Sequence, residues 1–514
     1  MRIHLFQRQC LAPTGNSLRI LIAAFALIGE LIILFATQRY GIALQSDSVG
    51  YIQVAREILQ GRSIPSSFTL QPPLYPALLA FSALITFSDP LTISIWVNAF
   101  LFAGVIFLSG ILLLRHLENF PALALLGTIG VLFSRALLGM ALTAFSELLF
   151  ILLSLVLFFS LEKFVGTNRR GWLALAIVAT ACACLTRYIG ATLIATGALA
   201  LLWMLRANRT RAFVSAGVFA VLSALPLVAW AIRNIIASGD PFGPRAASRY
   251  TLLENVALTM GTVANWFVPD SWAWIFYMLG ILLVGVWLWT RFVQKAHYAQ
   301  APSLAPYIFY VIIFVAFLVI TSTITAYNRI GTRLLSPIYV PLLLVMLVLF
   351  NQVWESLRVG FSKRLLNGAA LGLVGLLFLF PVQTDWTTIS RARAQGAGGY
   401  NTTQWRASET IHYVRTHRGE LTDPIITNGP DVLYILADVN AISVLPKFQY
   451  ASNERAYEAD TLRGVYPPKP STLVWLTNSE RDDFLFTLPE LQELTHLTLV
   501  TQLQDGAVYR MERK

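Results

Sequence analysis

The most informative residues of this 514-residue chain lie in the stretch Gln45-Ser-Asp-Ser-Val-Gly-Tyr-Ile-Gln-Val-Ala-Arg-Glu-Ile-Leu-Gln-Gly61. Ser46, Asp47 or Ser48 can cap a helix, whose apolar positions Ile52, Ala55, Ile58 and Leu59 fall on one face. Gly61 ends it, and Tyr51 stands one turn after Asp47. Asp47 is then either a helix cap or a carboxylate with chemical work to do. Four further landmarks follow: Gln71-Pro-Pro-Leu-Tyr-Pro76, Ser146-Glu147, Leu185-Thr-Arg-Tyr-Ile-Gly190 and Arg333-Leu-Leu-Ser-Pro337. Arg56, Arg187, Arg233 and Arg333 bring guanidinium groups, which grip phosphate through paired hydrogen bonds at partly dry sites. The chemistry suggested is that of a carboxylate working beside a bound phosphate.

The elements that must position these groups are membrane helices. The chain is 56% hydrophobic and 13% charged, where a soluble chain has roughly 25% charged residues. An ordinary soluble enzyme, a disordered protein and a disulfide scaffold are excluded; Cys10, Cys182 and Cys184 are too few for the last. Apolar runs of near-spanning length recur at 18–37, 91–114, 121–139, 142–163, 172–186, 188–205, 211–232, 272–291, 306–325, 334–350 and 364–382. The segment 72–87, entered through Pro72-Pro73, is expected to be re-entrant or to lie at the surface. With that choice Arg2, Arg8, Arg19, Arg115, Lys163, Lys295, Arg358 and Lys363 all fall on the cytoplasmic side. The expectation is a polytopic α-helical protein of about eleven spans in a plasma (inner) membrane, N-terminus cytoplasmic, with outer loops 38–90 and 233–271.

Charge divides the chain in two. Residues 1–383 carry 25 Lys/Arg and 11 Asp/Glu, a net of +14, and residues 384–514 carry 13 and 16, a net of −3. The second region, of ordinary polarity, is expected to be a small α/β domain outside the cytoplasm. Its pattern gives a helix over 405–417, a strand over 424–428, a helix over 430–437, strands at 441–445 and 472–476, and a hairpin around Asp505-Gly506. Asn401-Thr402-Thr403 fits an N-glycosylation sequon.

The order of landmarks over residues 18–350 resembles the GT-C superfamily of integral-membrane glycosyltransferases. The nearest likeness is to the branch of the dolichol-phosphate-mannose protein mannosyltransferases and the bacterial aminoarabinose transferases of lipid A. That resemblance implies a sugar taken from a polyprenyl-phosphate carrier and transferred, with inversion, to a lipid, glycan or protein acceptor outside the cytoplasm. It implies that Asp47 is the catalytic base and that Tyr51 belongs to the same acid-x-x-x-Tyr pattern. Two departures stand out: Gln71 replaces a frequent His before the Pro-Pro turn, and Ser48 follows Asp47 where some members have a second acid.

Under this reading Arg333, then Arg187, Arg233 and Arg56, are the expected phosphate ligands, with snorkelling toward lipid headgroups as the alternative for each. Glu147 is expected to meet the acceptor, to orient an arginine, or to pair with Arg135 or Arg187. The loop from Arg233 to Arg245 is either a lid or acceptor loop or a solvated connector. No cofactor is required, no His-based metal site is expected, and a carboxylate-bound divalent cation is left open. Membrane lipids are partners and nucleic acid is not. The competing reading, a transporter or flippase of lipid-linked glycans, fits the composition equally well but calls for internal repeats and a charged path through the bilayer.

Overall fold

A computed structural model of the chain describes residues 15–293, 303–356, 363–479 and 484–514. Arg2, Arg8, Cys10, Lys295 and Arg358 lie outside these residues. The first region forms α1 (Gly15–Thr37), α2 (Ser46–Leu59), α3 (Leu74–Thr86), α4 (Pro90–His116), α5 (Pro121–Leu132), α6 (Arg135–Ala141), α7 (Glu147–Thr167), α8 (Arg170–Thr186), α9 (Ala191–Met204) and α10 (Arg209–Ser238). It continues with α11 (Leu252–Asn265), α12 (Ala273–Leu288), α13 (Ala305–Ile324), the short α14 (Thr332–Leu335), α15 (Tyr339–Ser356) and α16 (Lys363–Gln395).

Among the described residues eight helices are long and apolar enough to cross a membrane, or nine if α5 and α6, bent by 47° at Phe133-Ser134, form one span. The expected total of eleven differs through α8 and α9. They are 17 and 14 residues long, separated by the extended Arg187 and a 3₁₀ turn at Tyr188–Gly190. α3 has 13 residues, about 20 Å at 1.5 Å per residue, against a hydrocarbon core of about 30 Å. The 233–271 stretch is also more regular than a loop: α10 runs on to Ser238, and α11 opens with a reciprocal Thr251–Glu254 cap.

Burial sorts the helices into an inner and an outer set. The spans built on α4, α7 and α15 are 61–67% buried, whereas that containing α12 is 6% buried. Large apolar side chains such as Ile20, Phe213, Ile281 and Ile324 are exposed. Such a surface suits hydrocarbon rather than water.

α7 links the two ends of the inner set. Glu147 starts it, and Glu162 lies about 22 Å further along its axis. Glu162 is buried and accepts hydrogen bonds from Arg115 (3.1 Å) and Tyr307 (2.6 Å) and contacts His116 Nε2 at 2.7 Å, tying α7 to α4 and α13. Glu162→Ala strands these donors in the interior, and a loss of about 3–5 kcal/mol is expected. Thermal unfolding in detergent measures it, and an unchanged midpoint would show that the cluster carries no stability.

The tail forms α17 (Thr403–Arg406), α18 (Glu409–Thr416), β1 (Ile425–Thr427), α19 (Pro430–Ala437), β2 (Ile442–Ser443), α20 (Ala459–Leu462), β3 (Ser471–Leu476), α21 (Leu488–Leu494), β4 (Thr495–Leu503) and β5 (Gly506–Arg513). The sheet order is β2-β1-β3-β5-β4. β1 pairs in parallel with β2 and β3, and β5 pairs antiparallel with β3 and β4. The helix expected over 405–417 is two helices, because Ser408 caps a new one by accepting from the Ile411 amide.

Candidate active site

Asp47 is not the cap of α2. The N-cap is Gln45, whose amide donates to Ser48 Oγ at 3.2 Å. The Asp47 side chain, in the first turn, instead accepts from Arg333 Nη2. A carboxylate there is favoured by the helix dipole. Arg333 is presented by α14, a single turn inserted before α15, and its guanidinium lies 3.8 Å from the centre of the Phe145 ring.

Glu147 occupies the other side of Arg333. Its side chain is fully buried, and Oε1 accepts from Arg333 Nε at 2.6 Å and from Arg187 Nη1 at 2.5 Å. Oε2 is buried and has no hydrogen-bond partner among the described residues. Arg187 reaches this point because it sits at the break between α8 and α9. A Cβ at Gly190, at the end of that break, would come within 2.7 Å of the Cys184 backbone, so only glycine permits so close a return. Arg187 Nη1 also lies 3.4 Å from Ser146 Oγ, which in turn is 3.1 Å from the Tyr51 hydroxyl.

Tyr51 is packed edge-on against Tyr75 at 5.1 Å, and Tyr75 donates to Asn98 at 2.8 Å. Burial, reinforced by the charges of Asp47 and Glu147, raises the Tyr51 phenol above its ordinary range and keeps it a neutral hydrogen-bonding group. Asp47, Tyr51, Glu147, Arg187 and Arg333 therefore converge from α2, α7, the α8–α9 break and α14. Asp47 remains about a third exposed, whereas Arg187 and Arg333 are less than a fifth exposed.

Arg56 and Arg233 stand apart. Arg56 pairs with Asp89 at 2.8 and 3.0 Å and donates to the Tyr434 hydroxyl at 3.1 Å, joining α2 to the tail. Arg233 is inside α10 and donates to the carbonyls of Ile64 and Pro65, both at 2.8 Å, bracing the loop after α2. Arg135, considered as a partner of Glu147, hydrogen-bonds Asn265 instead.

Phe145 and Asn98 carried no sequence signal of a site role, because nothing local marks an apolar ring or an amide as a platform; Tyr75 lay in the Gln71–Pro76 landmark but had no role assigned there. Ser146 stood in a quoted motif beside Glu147. A cavity of about 720 Å³ is lined by Gly331 and Thr332, the two residues before Arg333, and by Arg135, Arg329, Glu254, Asp270 and Tyr250. Among the described residues no three His, Cys, Asp or Glu side chains gather as a metal site requires. A guanidinium, that of Arg333, stands between the two carboxylates.

The helical frame and the mixed sheet of the tail together make a fold that this chain shares with solved transferase structures. The chain is similar to ArnT (aminoarabinose transferase) from Cupriavidus metallidurans bound to undecaprenyl phosphate, at 13% identity over 96% of this chain and 98% of that one, with a TM-score of 0.58. It is also similar to the archaeal oligosaccharyltransferase AglB from Archaeoglobus fulgidus, in complex with an inhibitory peptide and a dolichol-phosphate. That likeness has 11% identity over 89% of this chain and 70% of that one, with a TM-score of 0.51. No protein-family model matches the chain, and neither does any curated protein sequence.

Proposed function

We propose that the chain is an inverting glycosyltransferase that moves a sugar from a polyprenyl-phosphate carrier to an acceptor on the extracytoplasmic face of the membrane. The observation that carries this reading is Arg333 held between Asp47 and Glu147 in a fold shared with proteins whose structures contain polyprenyl phosphates.

In the proposed reaction Asp47 accepts the proton of the acceptor hydroxyl or amine. The acceptor's lone pair forms the new bond to the anomeric carbon from the face opposite the phosphate. The carbon–oxygen bond to phosphate breaks, and its electron pair stays on phosphate oxygen. Arg333 and Arg187 stabilise that leaving charge through hydrogen bonds from a largely water-excluded position. Glu147 holds both guanidinium groups in place through Oε1. The cavity beside Thr332 is lined by Tyr250 and by the polar groups of Arg135, Glu254, Asn265 and Arg329, donors and acceptors suited to sugar hydroxyls.

The test uses purified full-length protein in lipid nanodiscs. Carrier-linked sugars extracted from the source membranes are supplied, and release of free undecaprenyl phosphate is followed with acceptor lipids from the same membranes. Acceptor-dependent release of the carrier is expected. Vectorial movement of intact carrier-linked sugar across proteoliposomes, without release, would replace this reading with transport.

A further inference from the structure

Immediately before α2 the backbone makes two bridges outside the main sheet. Ala43 bridges Thr143 in parallel, with Ala43 N donating to Leu142 O at 2.8 Å and Ala144 N donating to Ala43 O at 3.1 Å. The next residue turns its polar groups the other way. Leu44 N donates to Gly398 O at 3.4 Å, and Tyr400 N donates to Leu44 O at 2.9 Å, forming a parallel bridge to Gly399 in the tail. Residues 43 and 44 thus sit between a segment of the membrane region and a segment of the tail, bridged in parallel to each.

The register has a chemical meaning. Asp47 is four residues beyond Ala43, and Glu147 is four residues beyond Thr143. The single Ala43–Thr143 bridge fixes the two segments to each other at one point, four residues before each acid, and both acids reach Arg333. The tail side is built to hold this register. Asn401 is buried, with Nδ2 donating to Ile42 O at 2.9 Å and Oδ1 accepting from Arg406 Nη2 at 2.6 Å. Arg406 also donates to Tyr40 O at 2.9 Å. Gly399 has φ +59°, and a Cβ there would lie 1.8 Å from Leu44 O. Ile42, Leu44, Ile52 and Ala144 form one buried apolar cluster against which Tyr400 and Ile435 of the tail pack. The Arg56–Tyr434 contact secures the far end of α2 to the same tail.

We propose that residues 398–406 are a positioning element for Asp47: the tail sets the register of the 42–44 segment and thereby aims the carboxylate at the reacting atoms. This rests on Asp47 being the base proposed above. It assigns the tail a part in the chemistry, and it gives Asn401, whose amide nitrogen donates to Ile42 O, a clamping role in the folded protein.

The experiment compares wild type with Asn401→Asp, which keeps size and the acceptor for Arg406 but removes the donor to Ile42, and with Gly399→Ala. Val500→Ala, at an exposed position on β4, is the control. For Asn401→Asp the expected result is a kcat at least 10-fold lower for carrier release, with donor KM within 2-fold of wild type. Amide hydrogen exchange over residues 42–51 should be at least 10-fold faster, while α7 is unchanged. Gly399→Ala should act in the same direction and more strongly; if it does not fold, Asn401→Asp decides alone. A folded Asn401→Asp protein with unchanged exchange, or with faster exchange and unchanged kcat, would overturn the proposal. If wild type itself releases no carrier, the glycosyltransferase reading fails separately. Exchange then still decides whether the tail holds this segment, and without protection there the positioning role falls as well.

Discussion

Asp47→Asn should reduce carrier release at least 100-fold, the lower end of what a positioned general base contributes. The substitution is nearly isosteric. The asparagine Oδ1 can still accept from Arg333 and preserve the local geometry, but the amide cannot take the acceptor's proton at neutral pH. Loss of rate is therefore expected with little loss of structure. Membrane insertion and thermal midpoint should stay near wild type while kcat collapses, and undecaprenyl phosphate should bind at least as tightly as it does to wild type, because a neutral asparagine competes less for Arg333. Single-turnover release of the carrier isolates the chemical step. Retention of more than a tenth of the wild-type rate would remove Asp47 from the role of base.

Arg333→Ala should have the second largest effect, and a different signature. Wild-type Arg333 donates to both Asp47 and Glu147 and lies over Phe145. Without it, the fully buried Glu147 keeps Arg187 as its cationic partner among the described residues, and the two carboxylates lose the intervening charge. Hydrogen bonds to charged groups are worth about 1.5–3 kcal/mol. Undecaprenyl phosphate affinity should accordingly fall by about 10- to 100-fold. Arg333→Lys should recover little, because one ammonium replaces a planar fork that serves two acids at once. Equilibrium binding of undecaprenyl phosphate in nanodiscs checks both variants. An unchanged dissociation constant for Arg333→Ala would place the phosphate elsewhere.

The resting cluster holds two carboxylates against two guanidinium groups. In the proposed reaction an incoming phosphate competes with Asp47 for the donors of Arg333, so that binding the carrier and releasing Asp47 from its ion pair become one event, a coupling that Asp47→Asn and Arg333→Ala break from opposite sides.

The helical membrane class was legible because runs of apolar residues report burial in hydrocarbon without any knowledge of tertiary contacts. The span count was less so. The α8 and α9 segments are apolar enough to resemble spans, and only the tight return at Gly190 shows how Arg187 is brought to Glu147. Asp47 could be singled out by its place in the first loop. Its freedom from capping could not be, because Gln45, Ser46 and Ser48 offer competing cap chemistry and the pull of Arg333 comes from 286 residues away. Arg56 and Arg233 illustrate the converse. A guanidinium is satisfied equally by phosphate, by carbonyls or by a distant tyrosine, and composition does not distinguish among them. The 42–44 segment was invisible for a simpler reason: two bridged residues are too few to show a period.

The burial of Asn401 has a practical consequence. With the tail on the extracytoplasmic side, as proposed, its Asn-Thr-Thr sequence becomes a substrate for glycan attachment in the secretory pathway of a eukaryotic host, where modification precedes folding. A glycan added to Nδ2 at that stage would leave the amide too bulky to reach the Ile42 carbonyl. Protein made in such a host would then be inserted in the membrane but inactive, and a bacterial host or an enzymatic deglycosylation control becomes part of any activity measurement.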